Sequence, residues 1–160
     1  MPTLRPLQHG DIVMNEIEAR WLGYVGQGVQ PMFIGKVDPI WHDIFRACQE
    51  ILAATYEIFK PGITVGDVNK FIVDWGERNS PFVTRPLFHS RGLGDDAPVS
   101  VRSTTDAHAQ WEIKENTVFI VKPTVTTADG RKRLYWGDCV VVTPDGPRRL
   151  GKRPIDVIQI

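Results

Sequence analysis

The chain has 160 residues, enough for one domain with a real core. An apolar fraction of 42%, a charged fraction of 24% and a formal net charge of zero describe an ordinary globular protein without a global pull toward nucleic acid or an anionic membrane. No apolar stretch approaches the ~18 residues of a membrane span, and residues Met1 to Gly10 lack the apolar centre of a signal peptide. Cys48 and Cys139 suit reduced, buried thiols in a cytoplasmic protein and are too few for a cysteine-based zinc site.

Residues 11–34 read as two strands around Trp21-Leu22-Gly23. Period two places Ile12, Met14 and Glu16 on one face, and Val25 to Ile34 returns as the partner. Pro39 opens a helix to about Phe59, with Ile44, Cys48, Ile51, Leu52, Tyr56 and Phe59 as its apolar stripe and Thr55 as the one polar member. Pro61-Gly62 ends it, and Thr64 with Asp67 starts a second helix carrying Val68, Phe71, Ile72 and Trp75. Residues 82–104 read as extended chain broken by a Gly-rich bend. Strands follow at about 117–126, 131–136 and 138–143, with turns at Asp129-Gly130 and Pro144-Asp145-Gly146. The sum is an α+β chain, an antiparallel sheet backed by helices. Arg131-Lys132-Arg133, Arg148-Arg149 and Lys152-Arg153 read as solvated hairpin faces, so neither nucleic acid nor membrane is expected as a partner. The five tryptophans read as core or interface filling, Tyr24 as a packed residue of the first turn, and His42 and His108 as surface residues.

Three segments carry the chemistry. They are Gly10-Asp11-Ile12-Val13 running to Gly23-Tyr24, then Phe88-His89-Ser90-Arg91-Gly92-Leu93-Gly94, then Val118 to Pro123 with Gly137 to Gly146. In that order they resemble the second part of the pita-bread catalytic domain shared by methionine aminopeptidase, aminopeptidase P, prolidase and creatinase. The resemblance implies a curved antiparallel sheet backed by two main helices, residues 1–160 forming a single, partial domain. The family's N-terminal portion, with its helices, a strand and a substrate-facing His, is expected to fall outside this chain.

Most members of that family hold two metal ions with two Asp, one His and two Glu. Here the resemblance assigns those positions to Glu16, Gln27, His89, Lys122 and Gly137, with Arg91 replacing His89 in a shifted match and Asp96 near the family's second His. A dinuclear hydrolase needs several anionic oxygen donors around its ions. Three of five ligands are lost here, one of them to a cation, so neither metal nor another cofactor is expected. Lys122 is expected to stand in the former metal volume and pair with Glu16, unless the strand register makes it a surface residue. His89 reads as a proton acceptor or donor, or as a structural hydrogen-bonder. Arg91 reads as a carboxylate binder or a solvated loop residue, and Asp95-Asp96 as loop caps or a base.

The candidate catalytic residues are therefore His89, Lys122 and Glu16, and the candidate substrate-binding residues Arg91, Gln27 and Asp96. Two functions compete. The first is a metal-free homologue that binds, and once the domain is complete can hydrolyse, a small amide or guanidino compound. The second is a pseudoenzyme used as a binding module, as in relatives that serve histone chaperones or bind RNA; a small-molecule or peptide ligand is the partner expected. An active metallopeptidase is disfavoured. A pocket lined by Glu16, His89, Arg91 and Lys122 would favour the first; a filled pocket beside a wide exposed patch would favour the second. An open sheet edge further predicts a homodimer, or covering by a missing N-terminal portion.

Overall fold

In the computed structural model, which describes residues 4–93, 97–101 and 108–160, β1 (Ile12–Trp21) pairs along its whole length with β2 (Tyr24–Phe33). Leu22 and Gly23 between them both adopt positive φ, 47° and 88°, as a two-residue hairpin turn requires. Tyr24 begins β2 and is exposed, which corrects its expected packing role. Ile12 and Met14 lie against the core.

α1 (Ile40–Ile58) follows Pro39 and buries Ile44, Cys48, Ile51 and Leu52. Thr55 is satisfied within the helix, its hydroxyl donating to the Ile51 carbonyl at 2.7 Å. α2 (Val65–Asn79) begins with a reciprocal cap: Asp67 N–H donates to Thr64 Oγ1 at 3.1 Å, and Thr64 N–H donates to the Asp67 carboxylate at 2.9 Å. The Thr64 N–H, and after it the Thr64 hydroxyl, which donates to the same carboxylate at 2.7 Å, hold the Asp67 carboxyl below the usual carboxylate range.

The remaining strands are β3 (Val83–Arg85), β4 (Leu87–Ser90), β5 (Val99–Val101), β6 (Val118–Val121), β7 (Thr124–Thr126), β8 (Arg133–Leu134), β9 (Gly137–Thr143), β10 (Gly146–Arg149) and β11 (Ile158–Gln159). The main sheet runs β1-β2-β9-β6-β4-β5, with β10 on β9 and β11 parallel to β2, while β3, β7 and β8 form a small second sheet. The sequence pattern runs residues 117–126 together as one strand. In the structure Lys122-Pro123 splits it, sending β6 to the main sheet and β7 to the small one; proline has no N–H to continue the ladder.

Phe59, just past α1, meets Phe88 of β4 and Phe119 of β6 edge-on, with ring centroids 5.6 and 5.3 Å apart. This contact locks the helices against one face of the sheet. By the two-residue period, His89 and Ile120, which pair across β4 and β6, take the opposite face. The tryptophans divide: Trp136 is 1% exposed, Trp21 78% and Trp111 48%. Only the first of these three is core. Among the described residues no helix is long and apolar enough to cross a membrane, and β1 pairs with β2 alone.

Candidate functional site

A connected chain of polar side chains links the ends of β4 and β6 to β1 and β2. Lys122, which follows β6 and is 3% exposed, places Nζ 3.0 Å from Glu16 Oε1 on β1. The other oxygen, Oε2, accepts from Gln27 Nε2 at 3.0 Å. Gln27 Oε1 in turn accepts from Arg91 Nε at 2.9 Å and Arg91 Nη2 at 2.8 Å. Arg91 Nη2 also bridges to Glu18 Oε1. The strand register explains the assembly: Glu18 stands directly opposite Gln27 and Glu16 opposite Val29, so Gln27 reaches Glu16 along the diagonal.

Two neighbours complete the site. Gln27 N–H donates to Cys139 Sγ at 3.2 Å; burial pushes that thiol above its ordinary pKa, and the Gln27 bond opposes the shift. Gly137 lies against Lys122, so that a Cβ added there would stand 2.5 Å from Lys122 Cβ and 2.9 Å from the Val121 carbonyl oxygen. Buried His89 sits one strand over on β4, its Nδ1 3.2 Å from the Ser90 carbonyl oxygen. Asp96, with Gly94 and Asp95, lies outside the described residues.

The structure thus brings Glu16, Gln27, Lys122 and Arg91 together, with the Lys122–Glu16 pair at salt-bridge distance. Arg91 is a largely covered member of the chain, its side chain 9% exposed, rather than a solvated loop residue. Glu18 and Cys139 escaped the sequence reading. Glu18 had a signal, since it shares the period-two face of Glu16. Cys139 had none beyond its place two residues past Gly137.

A second charged group corrects the reading of the C-terminal basic pairs as solvated. Buried Asp138 accepts from Arg149 Nη2 at 3.0 Å and lies 3.9 Å from Arg153 Nη2. Both guanidiniums lie over the Trp136 ring, 5.0 and 4.7 Å from its centroid. Arg153 also donates to Gln30 Oε1 at 3.0 Å and to the Gly137 carbonyl at 2.7 Å. The cluster pins the chain after β10 back onto β2 and β9.

The metallopeptidase family M24 profile matches residues 1–144, and the chain belongs to that family, whose members carry peptidase-type hydrolase chemistry on the pita-bread fold. Methionine aminopeptidase 1A of Arabidopsis thaliana is 23% identical over 92% of this chain and 37% of its own length. Among solved structures, a dipeptidase of Pyrococcus horikoshii OT3 superposes at a TM-score of 0.82 with 21% identity, over 99% of this chain and 44% of that one. The methionine aminopeptidase of Rickettsia prowazekii gives 0.78 and 20%, over 93% of this chain and 67% of that one. The chain spans less than half the length of the first two relatives, and the match is to the C-terminal part of the catalytic domain.

The family's ion pair can be tested against the side chains in place. Gln27 offers a neutral amide, Gly137 no side chain, and Lys122 a cation that already occupies one Glu16 oxygen. Among the described residues, no three or more His, Cys, Asp and Glu converge as a metal centre would need. The donor set does not fit two divalent ions.

Proposed function

We propose that this chain is a metal-independent, non-hydrolytic member of its family that serves as a binding module. One observation carries the reading: the side chains at the former ligand positions satisfy one another. Lys122, both oxygens of Glu16, the Gln27 amide and the Arg91 guanidinium are all engaged within the network. A hydrolytic site needs a donor or base aimed at the scissile bond, whereas these groups are aimed at each other. Two cavities touch the site, one through Gln27 and one through Arg91, and neither is lined by Glu16, His89 or Lys122. Meanwhile Trp21, Leu22, Tyr24 and Leu93 are exposed together at the hairpin tip, where Gly23 packs on Leu93 and Val25 N–H donates to the Gly92 carbonyl at 3.1 Å. A filled site beside an exposed apolar patch supports binding over turnover. Buried, unpaired Cys48 and Cys139 support a reducing, cytoplasmic setting.

A cavity of about 350 Å³ between Arg91, Leu93 and Trp111 favours a second reading, in which a small-molecule or peptide ligand is held there. Hydrolysis in that reading awaits a complete domain. Elemental analysis of protein purified without chelator, together with assays on methionyl peptides and dipeptides with and without added Mn, Co or Zn, tests the first reading. Substoichiometric metal and no hydrolysis are expected. One ion held per chain at Glu16 and His89, or metal-stimulated cleavage, would overturn it.

A further inference from the structure

On the hairpin between β7 and β8, Arg131 Nε lies 3.9 Å from an Asp129 oxygen, and Lys132 Nζ lies 3.7 Å from Asp38. Arg85 of β3 and Arg133 of β8 meet no carboxylate among the described residues. Arg85 Nη1 donates to the Thr84 carbonyl at 3.0 Å, and the Arg133 guanidinium lies 5.7 Å from the centroid of the Tyr135 ring.

Strand pairing sets these two cations around one recess. β7 is the central strand of the small sheet, with Arg85 opposite Thr124 on one side and Arg133 opposite Thr126 on the other. Thr84, Val125 and Leu134 are buried. By period two, Arg85, Thr124, Thr126 and Arg133 therefore share the opposite face. Two strand spacings and one two-residue step separate the arginine Cα atoms by about 12 Å, so their long side chains can close on one group from both sides. The recess there has a volume of about 410 Å³ and is lined by both arginines, Thr124 and Thr126, with Val83 and Ala128 as apolar wall.

Thr124 is 4% exposed, yet neither its hydroxyl nor that of Thr126 has a hydrogen-bond partner among the described residues. Unmatched hydroxyls on the wall of a charged recess are donors held ready. Asp129, the one carboxylate of the hairpin, is held within it by Thr127 Oγ1 at 2.6 Å and Arg131 N–H at 3.0 Å, and it does not line the recess. The donor set selects the ligand. Two guanidiniums and two hydroxyls offer more donors than the two oxygens of a carboxylate can take. They suit a group with three terminal oxygens and nearly two negative charges. The volume is that of a small-molecule site, which leaves room for an organic remainder against Val83 and Ala128.

We propose that this recess binds the phosphate group of a small phosphomonoester, with Arg85 and Arg133 clamping its oxygens and Thr124 and Thr126 donating to them. None of these residues belongs to the chain of Glu16, Gln27, Arg91 and Lys122, so the site stands whichever way that chain is used. Titration calorimetry of the full chain with phenyl phosphate at low salt should show saturable binding, with a Kd on the order of 1 mM or tighter. Arg85→Ala and Arg133→Ala should each weaken it by more than about tenfold. Arg131→Ala, whose guanidinium is already matched, should change it by less than about twofold. Both recess arginines are exposed, so circular dichroism should find the variants folded. Binding should weaken as pH falls through about 6, where the ester takes up its second proton. Benzoate should bind more weakly and without that step. Absence of saturable binding, benzoate held as tightly as the ester, or Arg131→Ala as damaging as Arg133→Ala would each overturn the proposal. So would inorganic phosphate bound more tightly than the ester, which would assign the recess to the free ion.

Discussion

Lys122 and Glu16 lie 106 residues apart in the chain, yet their head groups meet at 3.0 Å with unequal surroundings: the Lys122 side chain is 3% exposed and that of Glu16 38%. Glu16 also has the Gln27 amide as a second partner. The pair is therefore asymmetric. Removing the carboxylate strands a buried ammonium, whereas removing the ammonium leaves a half-solvated carboxylate that keeps a hydrogen bond.

Glu16→Gln should accordingly destabilise the fold by about 2 kcal/mol, and Lys122→Met by about 1 kcal/mol or less, both discounted for the solvent that reaches Glu16. The double variant should recover most of the loss, since no unpaired charge remains. Urea unfolding of the four proteins forms the cycle. Equal costs for the two single variants would show that burial of Lys122 plays no part.

Much of this arrangement could be read from the sequence, and the reasons differ by element. The hairpin and both helices follow from local signals: a turn at Leu22-Gly23, a stripe at helical spacing, and a Thr64–Asp67 cap, none of which needs a distant partner. The Lys122–Glu16 pair was legible only through the family resemblance, which places both positions around one volume. Arg149 and Arg153 were misread because two neighbouring basic residues look alike whether they face water or a buried carboxylate. Asp138 decides the matter, and its burial depends on β2, β6 and β9 closing around it. Pro123 does mark a break in the strand pattern of residues 117–126, but it does not say that the chain changes sheets there; that becomes visible once β7 pairs with β3 and β8.

Gly137 should resist any side chain. A Cβ would meet Lys122 Cβ at 2.5 Å and the Val121 carbonyl oxygen at 2.9 Å, and backbone cannot retreat as a flexible side-chain tip can. Gly137→Ala is expected to cost about 1–3 kcal/mol through forced strand displacement, although alanine is otherwise the better-ordered residue. Thermal unfolding of the variant checks it; an unchanged midpoint would mean that β9 shifts freely away from Lys122.

The cap of α2 should give a defined acid sensitivity. The Asp67 carboxyl is held low chiefly by the Thr64 backbone bond and then by the Thr64 hydroxyl. Its folded pKa is thus below the unfolded value of ~3.9, so its contribution is full above that value and is lost as pH falls through the lower folded one. Asp67→Asn should be less stable than the parent at neutral pH, and the gap should close as pH drops below about 4. Thr64→Ala should cost about 1 kcal/mol at neutral pH. Denaturant midpoints measured across that range test both, and a gap that persists at low pH would assign the cap's effect to shape rather than charge.

Gly76 offers a case in which helix propensity and packing oppose each other. Within α2 an alanine would be favoured over glycine by about 1 kcal/mol. Here, however, the helix presses on β3: Thr84 Oγ1 donates to the Ile72 carbonyl at 2.6 Å, and a Cβ at position 76 would stand 2.9 Å from both Thr84 Cβ and Thr84 Cγ2 and closer still to Oγ1. Thr84 is 2% exposed, so its side chain has nowhere to swing without giving up that bond. The expected net effect of Gly76→Ala is a loss of about 1–3 kcal/mol, the overpacking cost exceeding the propensity gain. Adding Thr84→Ala should recover part of it by opening the space, though it also gives up the Ile72 hydrogen bond. Calorimetry on the single and double variants reads the balance directly. A stabilised Gly76→Ala protein would show that α2 and β3 are not held at this distance.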